Sequence, residues 1–111
     1  MSDIAKTPKP PYYAVIFTSL QSEDLDGYAE TAARMEALAR EQPGYLGFEA
    51  AREGLGIAVS YWRDLESIAA WKRHVEHTAA QTDGRHRWYT HSTTRICRVE
   101  REYSFAADAQ N

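Results

Sequence analysis

Pro11 to Thr18 reads Pro-Tyr-Tyr-Ala-Val-Ile-Phe-Thr, a short run of aromatic and β-branched residues with the composition of a buried strand. Past it the period changes. Leu25, Tyr28, Ala32, Met35 and Ala39 follow at spacings of 3, 4, 3 and 4, which predicts a helix with Ser22 as N-cap and Glu23, Asp24 and Asp26 at its positive end. Gln42-Pro43-Gly44 stops that helix. Leu46, Phe48 and Ala50 then alternate with Gly47, Glu49 and Ala51, and Ile57, Val59 and Tyr61 alternate with Ala58, Ser60 and Trp62. The glycines of Glu53-Gly54-Leu55-Gly56 make these two strands a predicted hairpin. Asp64 caps a second helix, Leu65 to about Gln81, with Leu65, Ile68, Trp71, Val75 and Thr78 along one stripe and Thr82-Asp83-Gly84 at its end. Arg87 to Phe105 is β-rich and longer than an ordinary strand, so a bulge or a reach beyond its own sheet is expected.

The order β-α-β-β-α-β predicts a ferredoxin-like α+β fold, a four-stranded antiparallel sheet with both helices on one face. Tyr13, Phe17, Leu46, Phe48, Val59, Tyr61 and Trp62 divide between the two faces, and so much apolar area on an uncovered face points to a face-to-face homodimer. The expected domain is 12–105, between a flexible N-terminal tail at 1–11 and a C-terminal tail at 106–111, neither of which shows periodicity.

Composition narrows the functional classes. A chain of 111 residues, 43% of them hydrophobic, supports one core and one domain. Its net charge of -3 removes the general attraction to nucleic acid or to an anionic membrane. The lone Cys97 excludes a disulfide framework and a cysteine zinc site, so a reducing, cytoplasmic setting is expected. No apolar stretch approaches the length of a transmembrane helix or a signal-peptide core.

Two segments carry a resemblance: Pro-Gly-Tyr-Leu-Gly-Phe-Glu at 43–49 and Ser-Tyr-Trp-Arg-Asp-Leu-Glu-Ser-Ile-Ala-Ala-Trp-Lys at 60–72. Together with the element order, they are similar to the antibiotic-biosynthesis-monooxygenase (ABM) family over roughly Tyr12 to Tyr103. The resemblance implies a small dimeric α+β barrel. It also implies an activity drawn from cofactor-independent oxygenases of polycyclic phenols and haem-degrading enzymes. Haem-degrading members share a first-strand Asn, a helix-two Trp and a His about ten residues further on. Trp71 matches the Trp, but position 81 is Gln and Tyr13 to Thr18 contains no Asn, so only His74 or His77 remains to present an imidazole to haem.

Trp71, His74, Thr78 and Gln81, spaced 3, 4 and 3, put an indole, an imidazole, a hydroxyl and an amide on one helix face. Such a face suits a planar phenol or quinol. Trp62 and Trp71 are the expected walls, His74 the expected base with His77 as the other candidate, and Tyr13, Thr78 and Gln81 the expected polar contacts. A phenolate is electron-rich enough to pass an electron to O₂, so neither flavin nor metal is required of the chain. The competing reading makes Trp71 core packing and the histidines solvated helix surface. His74-x-x-His77 has metal-like spacing without a carboxylate to complete a motif. The basic stretch Lys72 to Arg101 lacks the aromatic signature of an RNA-recognition module. The expectation is an oxygenase of a small aromatic molecule, with a non-catalytic ligand-binding dimer and an atypical haem protein as the alternatives.

Overall fold

The computed structural model describes residues 3–82 and 87–107, except for the side chains of 77–82. Its elements run β1 (Tyr12–Gln21), α1 (Tyr28–Arg40), β2 (Tyr45–Glu53), β3 (Leu55–Trp62), α2 (Leu65–Thr82) and β4 (Tyr89–Val99). The strands form one sheet in the order β2-β3-β1-β4 with antiparallel neighbours, which is the ferredoxin-like arrangement the element order predicts.

Strand register decides which side chains meet the helices. Tyr13 pairs with Trp62 and Phe17 with Ala58, so Tyr13, Val15, Phe17 and Ser19 share a face with Trp62, Ser60, Ala58 and Gly56. Trp62 stacks on Trp71 of α2 and Phe17 meets Tyr89, which packs on Tyr28 of α1, so both helices cover this one face. In β2 a register shift between Tyr45 and Gly47 makes Leu46 an extra residue and brings Tyr45 onto the face of Phe48 and Ala50. Tyr45 thereby packs edge-on against Trp62, with ring centroids 5.6 Å apart.

Two local expectations are corrected. Ser22 is not the N-cap of α1: its amide donates to Trp88 O and its hydroxyl to Arg87 O, tying the end of β1 to the entry of β4. The helix starts instead behind Gly27, whose φ of 79° is the left-handed conformation glycine tolerates. Leu25 and Leu65 are exposed rather than stripe residues, because each stands before the first turn that touches the sheet, reached at Tyr28 and Ile68. The last segment does carry the expected irregularity: β4 ends at Val99, a register shift between the Leu20–His91 and Gln21–Tyr89 pairs leaves Thr90 extra, and Tyr103 and Phe105 continue beyond the strand as exposed side chains. Asp64 does cap α2, accepting the Ser67 amide at 2.7 Å.

The outer face carries Tyr12, Ala14, Tyr61, Glu49 and Ile57. The N-terminal segment lies across one end of it. Ala5 N donates to Glu49 Oε2 at 2.9 Å, the Tyr61 hydroxyl donates to Glu49 Oε1 at 2.6 Å, and Thr7 Oγ1 donates to Glu102 at 2.7 Å. The Tyr12 hydroxyl donates to the same Glu102 carboxylate, and the Tyr12 and Tyr61 rings meet edge to face. A Cβ on Gly47 would come within 2.9 Å of the Ala5 side chain, so the close approach of this segment depends on glycine there.

Candidate functional site

Trp62 closes β3 on the helix-facing side, Trp71 descends onto it from α2, and His74 follows one turn later. The three rings form a column: Trp62 on Trp71 at 5.9 Å and 27°, and Trp71 on His74 at 5.4 Å and 17°. Trp62 is fully buried and donates its indole N–H to Ser60 Oγ at 2.8 Å. The Trp71 indole thus stacks both on Trp62 and on the half-buried His74. Tyr13, paired with Trp62 in the sheet, shares the same face and is half-buried. Sequence spacing thus brings Trp62, Trp71, His74 and Tyr13 to one end of the helix–sheet layer. The side chains of His77, Thr78 and Gln81 lie outside the described residues.

A cavity of about 280 Å³ lies elsewhere in that layer, walled by Phe17, Tyr28 and Tyr89 and closed at one side by Ser19 and Arg52. Phe17 is four residues along β1 from Tyr13, so the two regions are about 13 Å apart along the strand. The space exists because the sheet under it carries only Ala50, Gly56 and Ala58, while the aromatic rings stand at its edges. Phe17 and Tyr89 pack edge to face at 5.3 Å and Tyr28 meets Tyr89 at 6.1 Å. Trp88 backs Tyr28 at 5.6 Å and anchors its own indole on Asp26 O at 2.8 Å. Among the described residues, none of those lining the cavity is a histidine. Among the described residues no three His, Cys, Asp or Glu side chains converge as metal ligands.

Sequence reasoning placed the site at the tryptophans and passed over Ser19, Tyr28 and Arg52. A signal was present. Ala50, Gly56 and Ala58 are small residues at strand positions that face the helices, and Arg52 is a cation in phase with Phe48 and Ala50 on that otherwise apolar face.

Against known proteins, the sequence profile of the antibiotic biosynthesis monooxygenase family matches residues 11–83. The chain belongs to this family. It is 50% identical over 107 residues to the uncharacterized protein YqjZ of Bacillus subtilis, covering 95% of this chain and 94% of that one. Among solved structures it is similar to PA3566 from Pseudomonas aeruginosa, with a TM-score of 0.61 at 17% identity over 86% of this chain and 99% of that one. It is equally similar to SnoaB, a cofactor-independent oxygenase from Streptomyces nogalater, with a TM-score of 0.61 at 13% identity over 88% and 100% of the two chains. At such identities the structural likeness carries the ABM fold, and the chemistry has to be argued from the site. No described helix is long and apolar enough to cross a membrane.

Proposed function

We propose that this ABM domain is an oxygenase of a small planar phenol or quinol, using O₂ with no flavin, metal or haem held by the chain. The aromatic-walled cavity between the sheet and the start of α1 carries this reading. Phe17, Tyr28 and Tyr89 offer ring edges and faces for a flat aromatic guest, and the volume fits one or two fused rings. The apolar lining shields part of an ionised phenol from water and leaves it electron-rich beside O₂. In the balanced reaction one oxygen atom joins the ring, the other leaves as water, and the phenol, oxidised to a quinone, supplies all four electrons. SnoaB, which shares the fold, is a cofactor-independent oxygenase, and this supports a reaction without a resident cofactor.

The ring column gives a second reading for proton transfer. His74 lies on Trp71, which fixes the orientation of its imidazole, and this favours His74 as the general base for a substrate seated at the ring column rather than in the cavity. Trp62 and Trp71 then hold that base rather than the substrate, because their facing surfaces are already stacked. The subunit works as a homodimer through the outer sheet face, where Leu20, Leu55 and Ile57 are 43%, 50% and 44% exposed and lie side by side across β1 and β3.

Oxygen uptake with a panel of phenols and quinols tests both readings. Turnover that falls at least about tenfold in Tyr28→Ala and persists in His74→Ala assigns the chemistry to the cavity alone. Loss of turnover in His74→Ala with ligand affinity retained makes His74 the base. Saturable binding with no oxygen uptake for any ligand sinks the oxygenase reading and leaves a binding protein.

A further inference from the structure

Arg52 is held in an unusual way for an exposed cation. Its guanidinium occupies the place of a side chain at Gly56, its partner across the hairpin: a Cβ built on Gly56 would lie 2.2 Å from Cζ and Nη2 and 2.6 Å from Nε. Nη1 donates to Ser19 O at 3.2 Å and Gly54 O at 3.4 Å, and Nη2 donates to Ser19 Oγ at 2.5 Å. Ser19 is 2% exposed, so one end of the guanidinium fork is pinned to a buried residue of the cavity wall. Among the described residues no carboxylate pairs with Arg52, and no acidic side chain lines the cavity.

Counting donors shows what remains. Arginine has five N–H groups, and the contacts above use the two on Nη1 and one on Nη2. The Nε–H and the second Nη2–H have no acceptor among the described residues. Those two lie on one edge of the plane and match the two oxygens of a carboxylate. Arginine is also the cation best suited to this, since it stays charged and its fork is rigid.

From this geometry we infer that the ligand is an aromatic carboxylate: a planar ring between Phe17, Tyr28 and Tyr89 whose acid group pairs side-on with Arg52. The inference rests on the cavity being the substrate site and deepens it by naming the substrate class. A quinol-like ring bearing a carboxylate would be oxidised on the ring while its acid group sets the register. Ser19 acts as a positioning residue, holding the guanidinium flat on Gly56 so that its free edge is not spent on the protein.

A binding titration separates this from the oxygenase reading. The probes are a hydroxynaphthoate and its primary amide, which share shape and ring but differ in charge, followed by tryptophan fluorescence or calorimetry. Wild type is expected to bind the acid about tenfold more tightly than the amide, with the difference shrinking as salt rises. Arg52→Gln removes the preference and Arg52→Lys retains part of it. Gly56→Ala keeps the charge but displaces only the tip of a flexible side chain, so it lowers the preference in a folded protein. Equal affinity for acid and amide in wild type overturns the inference, as does a preference that survives Arg52→Gln. If neither probe binds, the cavity is not the site and both readings of it fall. Acid preference without oxygen uptake upholds the inference and counts against the oxygenase; quinol turnover with no acid preference does the reverse.

Discussion

Tyr61 shows how one side chain couples the sheet to the segment that crosses it. Its ring packs on Tyr12, and its hydroxyl shares the Glu49 carboxylate with the Ala5 amide. Burial, and after it the hydrogen bond to Glu49, push the Tyr61 phenol well above its ordinary value of 10.0. Burial, then the bond to Glu102, raises Tyr12 as well. A raised pKa means the folded state holds the proton more tightly than the unfolded chain. The stabilisation is complete below the unfolded tyrosine pKa and is lost as pH climbs above about 10. Tyr61→Phe is expected to cost about 1 kcal/mol at neutral pH, read from urea unfolding, and to flatten part of the alkaline decline. An unchanged alkaline limb in Tyr61→Phe would show that this network does not govern it.

At the scale of elements, the approach of α2 to the sheet depends on a short, tightly built junction. Gly44, with φ at 85°, turns the chain from α1 into β2 and accepts the Arg63 amide, while a Cβ at that position would fall 2.1 Å from Ser67 Oγ. Ser67 is also the residue whose side chain and amide bond to Asp64 and hold its carboxyl below the usual range. With the folded pKa depressed, the cap's contribution is present above the ordinary carboxylate pKa of 3.8 and fades as pH falls through the folded value. Asp64→Asn keeps an oxygen for the Ser67 amide but cannot titrate. Its expected signature is a shallower loss of melting temperature on acidification than wild type, measured by circular dichroism; equal slopes would remove Asp64 from the acid response. Because α2 carries Trp71 and His74 onto Trp62, loosening this cap also disturbs the ring column.

For the whole molecule, the outer sheet face has two halves with different fates. One end lies under the N-terminal segment through Glu49, Glu102, Tyr12 and Tyr61. At the other, Leu20 faces Leu55 across the strands with Ile57 beside them, all of them exposed in the single chain. A second subunit over this half would bury that strip and thicken a core whose fully enclosed apolar residues are few. Ile57→Lys places a charge in the middle of the strip, so sedimentation equilibrium is expected to show a dimeric wild type and a largely monomeric variant. A wild type that sediments as a monomer at micromolar concentration would refute the face-to-face pairing.

Much of the architecture was already determined by the sequence. Strand alternation and helical spacing report which residues share a face, and these are local properties of the backbone. They bring Trp62, Trp71 and His74 to one place, and they mark the hairpin at Gly54 and the cap at Asp64. Only the tertiary structure decided that these rings stack on one another, because side-chain packing is not periodic. It also decided that the open space sits beside Phe17, Tyr28 and Tyr89. That space depends on Ala50, Gly56 and Ala58 lying together beside Tyr28 of α1, a juxtaposition across β2 and β3 that no single segment contains. In sequence Arg52 is marked only by its phase with Phe48 and Ala50. Its pinning to Ser19, 33 residues away along the chain, and its place over Gly56 arise only when three strands align.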